Sequence, residues 1–380
     1  MKTKRNSSGI IVASIGALLT FAFVPFFCPI PAEAELFSQI NLVTDDQTIN
    51  PAMLTDPHLV NAWGISFSST SPFWVSANGT GVANLYSVNP LTNATAKQGL
   101  EVSIPGDGSV TGQVFNGTSA FNSDRFLFVS EDGTISGWRG ALGTTAETLQ
   151  PASDAYYKGG ALATISGNTY LYAANFHSGA IDILKGTPGA PDLPGTFTDP
   201  TLPSGYAPFN IQLLGGKLYV TYALQGSGKD EQAGPGLGFV SVFDTQGNFL
   251  GRVGSMGTLN APWGLAIAPQ SFGSFAGDLL VGNFGDGTIN AFNLATNTFV
   301  GQLAGLDRNP LMIDGLWGLT AGNGGSAGST NTIYFSAGPG DESHGLFGSL
   351  APVPEPSTML LLGSGLIGLV GYGRRKFFKK

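Results

Sequence analysis

Asn, Asp and His side chains recur next to glycine and in predicted turns. Their oxygen and nitrogen atoms could bind a ligand or a metal ion. Six of them are candidate ligand or metal residues: Asn61, Asn175, His177, Asn283, Asp286 and Asp314. Asp132, Asp341 and His344 occupy comparable positions. Carboxylate and amide oxygens are the ligands that calcium prefers, and a bound cation can activate water for hydrolysis. Calcium is therefore the cofactor that this pattern suggests.

The same residues have a structural interpretation. Asn and Asp beside glycine are favoured in tight turns for backbone reasons, and histidines in loops commonly face solvent. The tryptophans of the three Trp-Gly pairs, Trp63, Trp263 and Trp317, are expected to pack between units of the fold. The sequence has no His-Glu-x-x-His motif, phosphate loop or EF-hand loop. We therefore name no catalytic residue, and the balance favours a protein that is not an enzyme.

Six apolar segments, each followed by a glycine-containing turn and a second apolar segment, must position these side chains. The first segments begin at Phe73, Phe126, Tyr170, Lys217, Asp278 and Thr332. A further strand precedes each pair, and a poorer fourth strand follows, as at 299–303. Four short strands that repeat about every 50 residues are typical of a β-propeller. We predict an all-β, six-bladed propeller over residues 35–350, with a β-helix or paired sandwiches as alternatives.

Two consequences of this architecture bear on the candidate residues. Residues 36–43 alternate suitably to supply the outer strand that the last blade lacks, which would close the ring and protect its edge. The innermost strand of each blade begins on the face where the second and third strands turn. The candidate residues should therefore gather at one mouth of the central channel.

Composition narrows the class of partner. Between residues 35 and 373 there are nine basic and 24 acidic residues, a net charge of −15. Such a body would repel phosphate backbones, so nucleic acid is excluded as a partner. Charged residues make up only 11% of the chain, and 56 residues are glycine, which favours turns over helices. The single cysteine, Cys28, precedes the body.

The N-terminus has the organisation of a signal peptide. A basic start, Met-Lys-Thr-Lys-Arg, precedes an apolar run over 10–27 and the small-x-small sequence Ala32-Glu33-Ala34. We predict a signal helix in residues 1–34 and cleavage after Ala34. The mature protein would then have no thiol.

The C-terminus has three parts in a specific order. A Pro-rich motif at 351–358 precedes an uncharged, Gly-rich segment at 359–373 and a basic end at 374–380. The 15 residues from Met359 to Gly373 predict a short transmembrane helix and a weak anchor, with the basic end held in the cytoplasm. Val353, Pro354, Glu355 and Pro356 begin this tail.

This tail resembles the PEP-CTERM sorting signal of Gram-negative bacteria. The resemblance implies export, transient anchoring in the inner membrane, cleavage near Pro-Glu-Pro by an exosortase, and an association with extracellular polymeric matrix. The body, with Asp56-Pro-His-Leu-Val-Asn-Ala-Trp-Gly-Ile near its start, resembles an uncharacterised PEP-CTERM family. It is more distantly similar to NHL-type and lactonase-type propellers.

Two hypotheses about function follow. In the first, the chain is a cell-surface or secreted propeller that binds matrix polysaccharide or another surface protein without catalysis, in a biofilm matrix for example. In the second, it is a lactonase-like hydrolase that depends on a calcium-type ion at the channel mouth. The cleaved product is either released or passed to another anchor.

Overall fold

The computed structural model describes Met1 and residues 35–353. The predicted signal helix, its cleavage residues Ala32 and Ala34, and everything from Pro354 onward lie outside the described residues. Sorting residues Glu355 and Pro356 and the predicted membrane segment 359–373 are therefore not described. No helix in the described part is long and apolar enough to cross a membrane.

The described chain forms six sheets of short strands, antiparallel except for one short parallel pair, as the six repeats predicted. Its first two strands are β1 (Phe37–Thr44) and β2 (Leu54–Thr55). Blade one then comprises β3 (Ala62–Ser66), β4 (Phe73–Ala77), β5 (Val82–Val88) and β6 (Thr95–Ser103). Blade two comprises β7 (Val110–Phe115), β8 (Phe126–Ser130), β9 (Ile135–Trp138) and β10 (Glu147–Gln150).

Blade three departs from the predicted four-strand pattern. It has only β11 (Tyr157–Ile165), β12 (Asn168–Asn175) and β13 (Ala180–Lys185). The Pro-rich chain at 186–205 follows without forming a strand. Phe197 in this stretch is buried against Tyr172 and Phe243, with ring centroids 5.4 and 5.7 Å apart, so packing replaces the missing strand.

The remaining blades have the expected order, with one insertion. Blade four comprises β14 (Tyr206–Leu214), β15 (Lys217–Gln225), the short β16 (Glu231–Gln232), β17 (Phe239–Phe243) and β18 (Phe249–Ser255). Blade five comprises β19 (Pro262–Ile267), β20 (Leu279–Asn283), β21 (Ile289–Asn293) and β22 (Thr298–Gln302). Blade six contains β23 (Leu316–Ala321), β24 (Ile333–Ala337) and β25 (Leu346–Pro352).

The N-terminal strand completes blade six, as predicted. β1 pairs antiparallel with β25, from Phe37 opposite Pro352 to Thr44 opposite Leu346. Phe37 is buried against Phe272, with ring centroids 4.9 Å apart. β25 runs to Pro352, two residues beyond the boundary placed at 350. The first and last long strands of residues 35–353 therefore pair in one sheet and close the ring.

The hydrophobic core of residues 35–353 is divided between the blades. Six clusters of buried side chains each draw on two neighbouring blades, and a seventh lies on the axis. Trp74 of blade one, for example, stacks on Phe126 of blade two with ring centroids 4.0 Å apart. Burial of one such side chain contributes roughly 1.5–3 kcal/mol. The blades are thus held together by side chains that face each other across adjacent sheets.

A ring of glycines lets the six innermost strands approach each other at the axis. A Cβ atom added to Gly64 would lie 2.5 Å from the Thr111 carbonyl oxygen of the next blade. The glycines in this situation are Gly64, Gly112, Gly159, Gly264 and Gly318. In blade four Asn210 takes this position, and its Nδ2 donates to the Trp263 carbonyl oxygen at 2.8 Å. Close approach of neighbouring backbones therefore explains the glycine of each Trp-Gly pair.

Candidate binding site at the channel mouth

The residues that precede the ring of glycines largely fill the centre of the propeller. They are Trp63, Thr111, Lys158, Phe209, Trp263 and Trp317. Trp63 and Trp317 stack with ring centroids 3.7 Å apart, and Trp263 meets both edge-on. Phe284 stacks on the other side of Trp317 at 4.0 Å. The three tryptophans do pack between blades, as expected, and they do so on the axis, in one buried cluster with Phe176 and Phe209.

Lys158 takes the tryptophan position in blade three. Its side chain is 3% exposed, and its ammonium group pairs with the Glu131 carboxylate, which follows β8 of blade two. The ammonium also lies 5.2 Å from the centre of the Trp63 ring, a cation–π distance. One positive charge is therefore held on top of the aromatic cluster by a carboxylate from the neighbouring blade.

Hydrogen bonds extend this pair into a network across the mouth. The indole Nε1 of Trp317 donates to Asn61 Oδ1 at 3.0 Å. Asn61 Nδ2 donates to Glu342 Oε2 at 2.5 Å and lies 3.4 Å from Asn78 Oδ1. Asn78 Nδ2 donates in turn to Glu131 Oε2 at 3.3 Å. These contacts join blades one, two, three and six. We define the mouth network as Asn61, Asn78, Glu131, Lys158 and Glu342, together with Glu231, which interacts with Lys158 and Glu342 through its charge.

Two carboxyl groups of the mouth network have raised pKa values. Burial raises the pKa of Glu231 to about 7, opposed by the charge of Lys158 and reinforced by Glu342 and Asp230. Burial also raises the pKa of Glu342, while the hydrogen bond from Asn61 lowers it. Near neutral pH Glu231 can therefore donate or accept a proton, because both of its forms are populated.

The inserted strand β16 explains why Glu231 reaches the mouth. β16 pairs with the end of β15 on the face where the second and third strands turn, through Leu224 with Gln232 and Gln225 with Glu231. The backbone N–H of Gly226 donates to the Asp230 carbonyl oxygen at 2.9 Å and holds the loop back on itself. The insertion thus brings a carboxyl group to the mouth. The other five blades in residues 35–353 have no corresponding inserted strand.

Asn61 is the one sequence-predicted candidate that belongs to the mouth network. Its backbone φ is 48°, a left-handed conformation that asparagine tolerates better than most residues. Its side chain is buried and bridges Trp317 and Glu342. The prediction that it contacts a ligand stays a prediction.

The other five candidates make hydrogen bonds within or next to their own turns. Asn175 Oδ1 accepts from the N–H groups of Tyr156, His177 and Ser178. The His177 ring stacks on Tyr156 at 4.6 Å and its Nδ1 contacts the Asp154 carbonyl oxygen. These two residues therefore brace one loop of blade three.

Three more candidates also form hydrogen bonds with residues in or next to their own turns: Asn283, Asp286 and Asp314. Asn283 Nδ2 donates to Asp286 Oδ1 at 3.1 Å, and Asp286 Oδ2 accepts from Asn260 at 3.1 Å. The exposed Asp314 accepts from the Gly340 N–H at 2.9 Å. Within residues 35–353 no three His, Asp or Glu side chains gather so that they could hold a metal ion. The calcium site suggested for these residues by the sequence stays a prediction.

Sequence reasoning missed the four ionisable members of the mouth network: Glu131, Lys158, Glu231 and Glu342. Lys158 could have been found, because Lys158-Gly159 stands in the repeat position of Trp63-Gly64. Glu131 likewise follows its strand at the position of Asn78 in blade one. Glu231 and Glu342 lie in connections of irregular length, so the repeat gives no register for them.

One further sequence pattern proves to be uninformative. Gly324–Gly328 has the letters Gly-x-Ser-x-Gly, but this stretch connects β23 to β24 and does not lead into a helix. Ser326 is exposed, and its carbonyl oxygen accepts from the Val88 N–H of blade one at 2.8 Å. The segment therefore ties blade six to blade one, and its geometry is not that of a nucleophile elbow.

The fold and the C-terminal residues together define a class of protein, a six-bladed β-propeller with a PEP-CTERM protein-sorting motif, which is matched over residues 352–376. The chain belongs to the same family as two proteins of Acanthamoeba polyphaga mimivirus. Uncharacterized protein R648 is 31% identical over 343 residues, covering 84% of this chain and 82% of the relative. Uncharacterized protein L690 is 30% identical over 351 residues, covering 86% and 89%.

Solved structures match this chain at low sequence identity. A streptogramin B lyase structure matches with a TM-score of 0.44 and 12% identity, over 84% of this chain and 98% of that one. A glucose dehydrogenase matches with a TM-score of 0.49 and 13% identity, over 78% and 97%.

Proposed function

We propose that this chain is an exported, exosortase-processed surface protein whose propeller binds a matrix polysaccharide at the channel mouth without cleaving it. The sorting motif supports export, transient anchoring in the inner membrane and processing. In this proposal residues 1–34 are the signal peptide, 35–350 the binding body and 351–358 the sorting motif. Residues 359–373 anchor the chain in the membrane, and 374–380 remain in the cytoplasm.

The mouth network is the observation that supports polysaccharide as the ligand. Amide and carboxyl groups of Asn61, Asn78, Glu131 and Glu342 offer both donors and acceptors above an aromatic floor. A few placed polar groups over an apolar surface are typical of small-molecule and sugar-sized sites. Hydroxyl groups suit such a site because each one can donate and accept at once.

The charges at the mouth favour polymers without acidic groups. Glu131, Glu231 and Glu342 surround a single buried cation, Lys158, so the network has more acidic than basic groups. Lys229, which lies 5.8 Å from the Tyr156 ring, is also paired with Asp107 at 3.6 Å. A polyuronate would therefore meet like charge, whereas a neutral glucan would not.

Retention of the full-length protein, in mild detergent, on immobilised polysaccharides tests this function. We expect retention on neutral polymers such as dextran, cellulose or galactomannan, and none on alginate. Asn61→Gly keeps a backbone of positive φ while removing the bridging amide, so it should weaken retention about tenfold. Asn93→Gly is the matched control, because Asn93 has a φ of 58° in the β5–β6 turn. Retention on alginate alone, or on no polymer, would overturn the proposal.

A hydrolase that needs no metal is the second candidate, and the perturbed carboxyl groups favour it. The Glu131 carboxylate pairs with Lys158, and burial raises the pKa of Glu231 to about 7. A carboxyl group whose pKa lies near the working pH can act as a general acid or base in hydrolysis. Release of soluble sugar from the retained polymers, abolished by Glu231→Gln, would establish this candidate; retention with no release supports the binding protein.

A further inference from the structure

A cavity of about 300 Å³ lies on the other side of the aromatic cluster, toward the ends of the innermost strands. Trp263 contributes to its wall, together with residues of β3, β7, β11, β14 and β23. At about 30 Å³ per water molecule it has room for roughly ten waters. This is the lower end of the range for small-molecule sites. It is distinct from the mouth network, none of whose six members lines it.

The lining of this cavity contains no ionisable side chain. Its side chains are apolar, such as Leu162, Leu213 and Leu319, or neutral and polar, such as Gln212 and Thr320. A charged ligand would lose its hydration there and find no counter-charge, which costs several kcal/mol. The lining therefore selects against ions.

The backbone supplies hydrogen-bonding groups that an apolar ligand would leave unused. Each innermost strand ends its sheet and lies beside the innermost strands of the neighbouring blades. The N–H and C=O groups on its free edge thus have no strand partner, although side chains bond some of them, as Gln113 Nε2 does by donating to the Gly64 carbonyl oxygen at 2.7 Å. Ser66, Gln212 and Thr320 add neutral polar side chains to the lining. Buried polar groups need partners, which a hydroxylated ligand provides.

We propose that this cavity is a second binding site, for a small, neutral, polyhydroxylated molecule of about the size of one hexose. Such a ligand matches the volume, the absence of charge and the free backbone edges together. It is a different ligand from the polymer at the mouth, and the aromatic cluster of Trp63, Trp263 and Trp317 lies between the two sites.

Because Trp263 lines the cavity, its fluorescence offers a readout. The full-length protein in detergent would be titrated with glucose, galactose and mannose, and with glucuronate as the charged counterpart. We expect a saturable fluorescence change, confirmed by calorimetry, with at least one neutral hexose and none with glucuronate. No response to any of the hexoses, or an equal response to glucuronate, would overturn the proposal.

Variants separate this site from the mouth. Thr320→Phe should fill the cavity and weaken hexose binding at least tenfold, and Gln212→Phe, in blade four, does so independently if the first variant fails to fold. Asn61→Gly should leave hexose binding unchanged, because Asn61 lies in the mouth network. If both filling variants bind hexose as tightly as the parent protein, the ligand lies elsewhere and the site is refuted.

Discussion

At the residue scale, one repeat position that holds tryptophan in three blades holds a lysine in blade three, and this lysine places a positive charge at the channel mouth. Three of the six axial positions before the glycine ring hold tryptophan, but blade three holds Lys158. A buried ammonium needs a partner, and Glu131 supplies it. Glu231 and Glu342 then lie near a charge that only partly offsets the cost of their burial. Burial, opposed by the charge of Lys158, thus raises the pKa values of Glu231 and Glu342.

The raised pKa of Glu231 predicts a pH-dependent effect of Glu231→Gln. With a folded pKa of about 7, this carboxyl group keeps its proton where the unfolded chain, with a pKa of about 4.3, has lost it. The folded state then binds more protons, so the contribution of Glu231 to stability falls as pH rises between these values. Glu231→Gln should therefore raise the melting temperature at pH 8 and change it little at pH 4.

A control with the opposite sign is available. The hydrogen bond from Arg139 lowers the pKa of Glu147, so its contribution is present above the unfolded pKa and is lost in acid. Glu147→Gln should therefore lower the melting temperature at pH 8 and have less effect at pH 3. The same sign for both variants would show that Glu231 is not the titrating group.

The sequence predicted the turn residues but not the charged residues that meet at the channel mouth. Asn, Asp and glycine mark turns reliably, and the structure places Asn175, Asn283 and Asp286 as braces of their own turns. The convergence of Glu131, Lys158, Glu231 and Glu342 depends on how six blades are arranged around an axis. No spacing within one repeat contains that information.

At the element scale, the glycine ring determines how closely the innermost strands pack. Repeat spacing predicted the blades because strand, turn and strand are local features, each visible within a few residues. It did not predict that 186–205 would form no strand in blade three, because Phe197 packs there through contacts with β12 and β17.

Two glycines of the innermost strands, Gly64 in blade one and Gly160 in blade three, give a matched pair of variants. Gly64→Ala would place a methyl group 2.5 Å from the Thr111 carbonyl oxygen, so we expect a loss of about 1–3 kcal/mol in the free energy of unfolding. Gly160→Ala would meet its nearest atoms at 3.5 Å and should change stability by less than about 0.5 kcal/mol. Chemical denaturation of both variants measures the difference. Equal costs would mean that the ring does not set the strand separation.

At the scale of the whole molecule, the sorting motif begins where the propeller ends. The motif is matched from residue 352, and Pro352 is also the last residue of β25. The Val353 N–H donates to the Leu36 carbonyl oxygen at 2.8 Å. The processing enzyme must therefore act on a motif with no spacer from the folded body.

Substitutions in the motif test processing in a host that has an exosortase. Glu355→Gln and Pro356→Ala should each leave uncleaved precursor in the inner membrane, as seen by immunoblots of membrane and medium fractions. Ser357→Ala is the control that leaves Pro-Glu-Pro intact. Normal release of both motif variants would contradict exosortase processing.

The closure of blade six has a consequence for the timing of folding. Secretion is directional, so β1 would leave the cytoplasm first and β25 last among the strands of the body, although the two must pair. Until then blade six lacks its outer strand, and β25 presents an unpaired edge of the kind that invites association with other chains. Pairing across more than 300 residues is entropically costly and slow. A tail that detains the last strand at the membrane would give the first strand time to return to it before the protein is released.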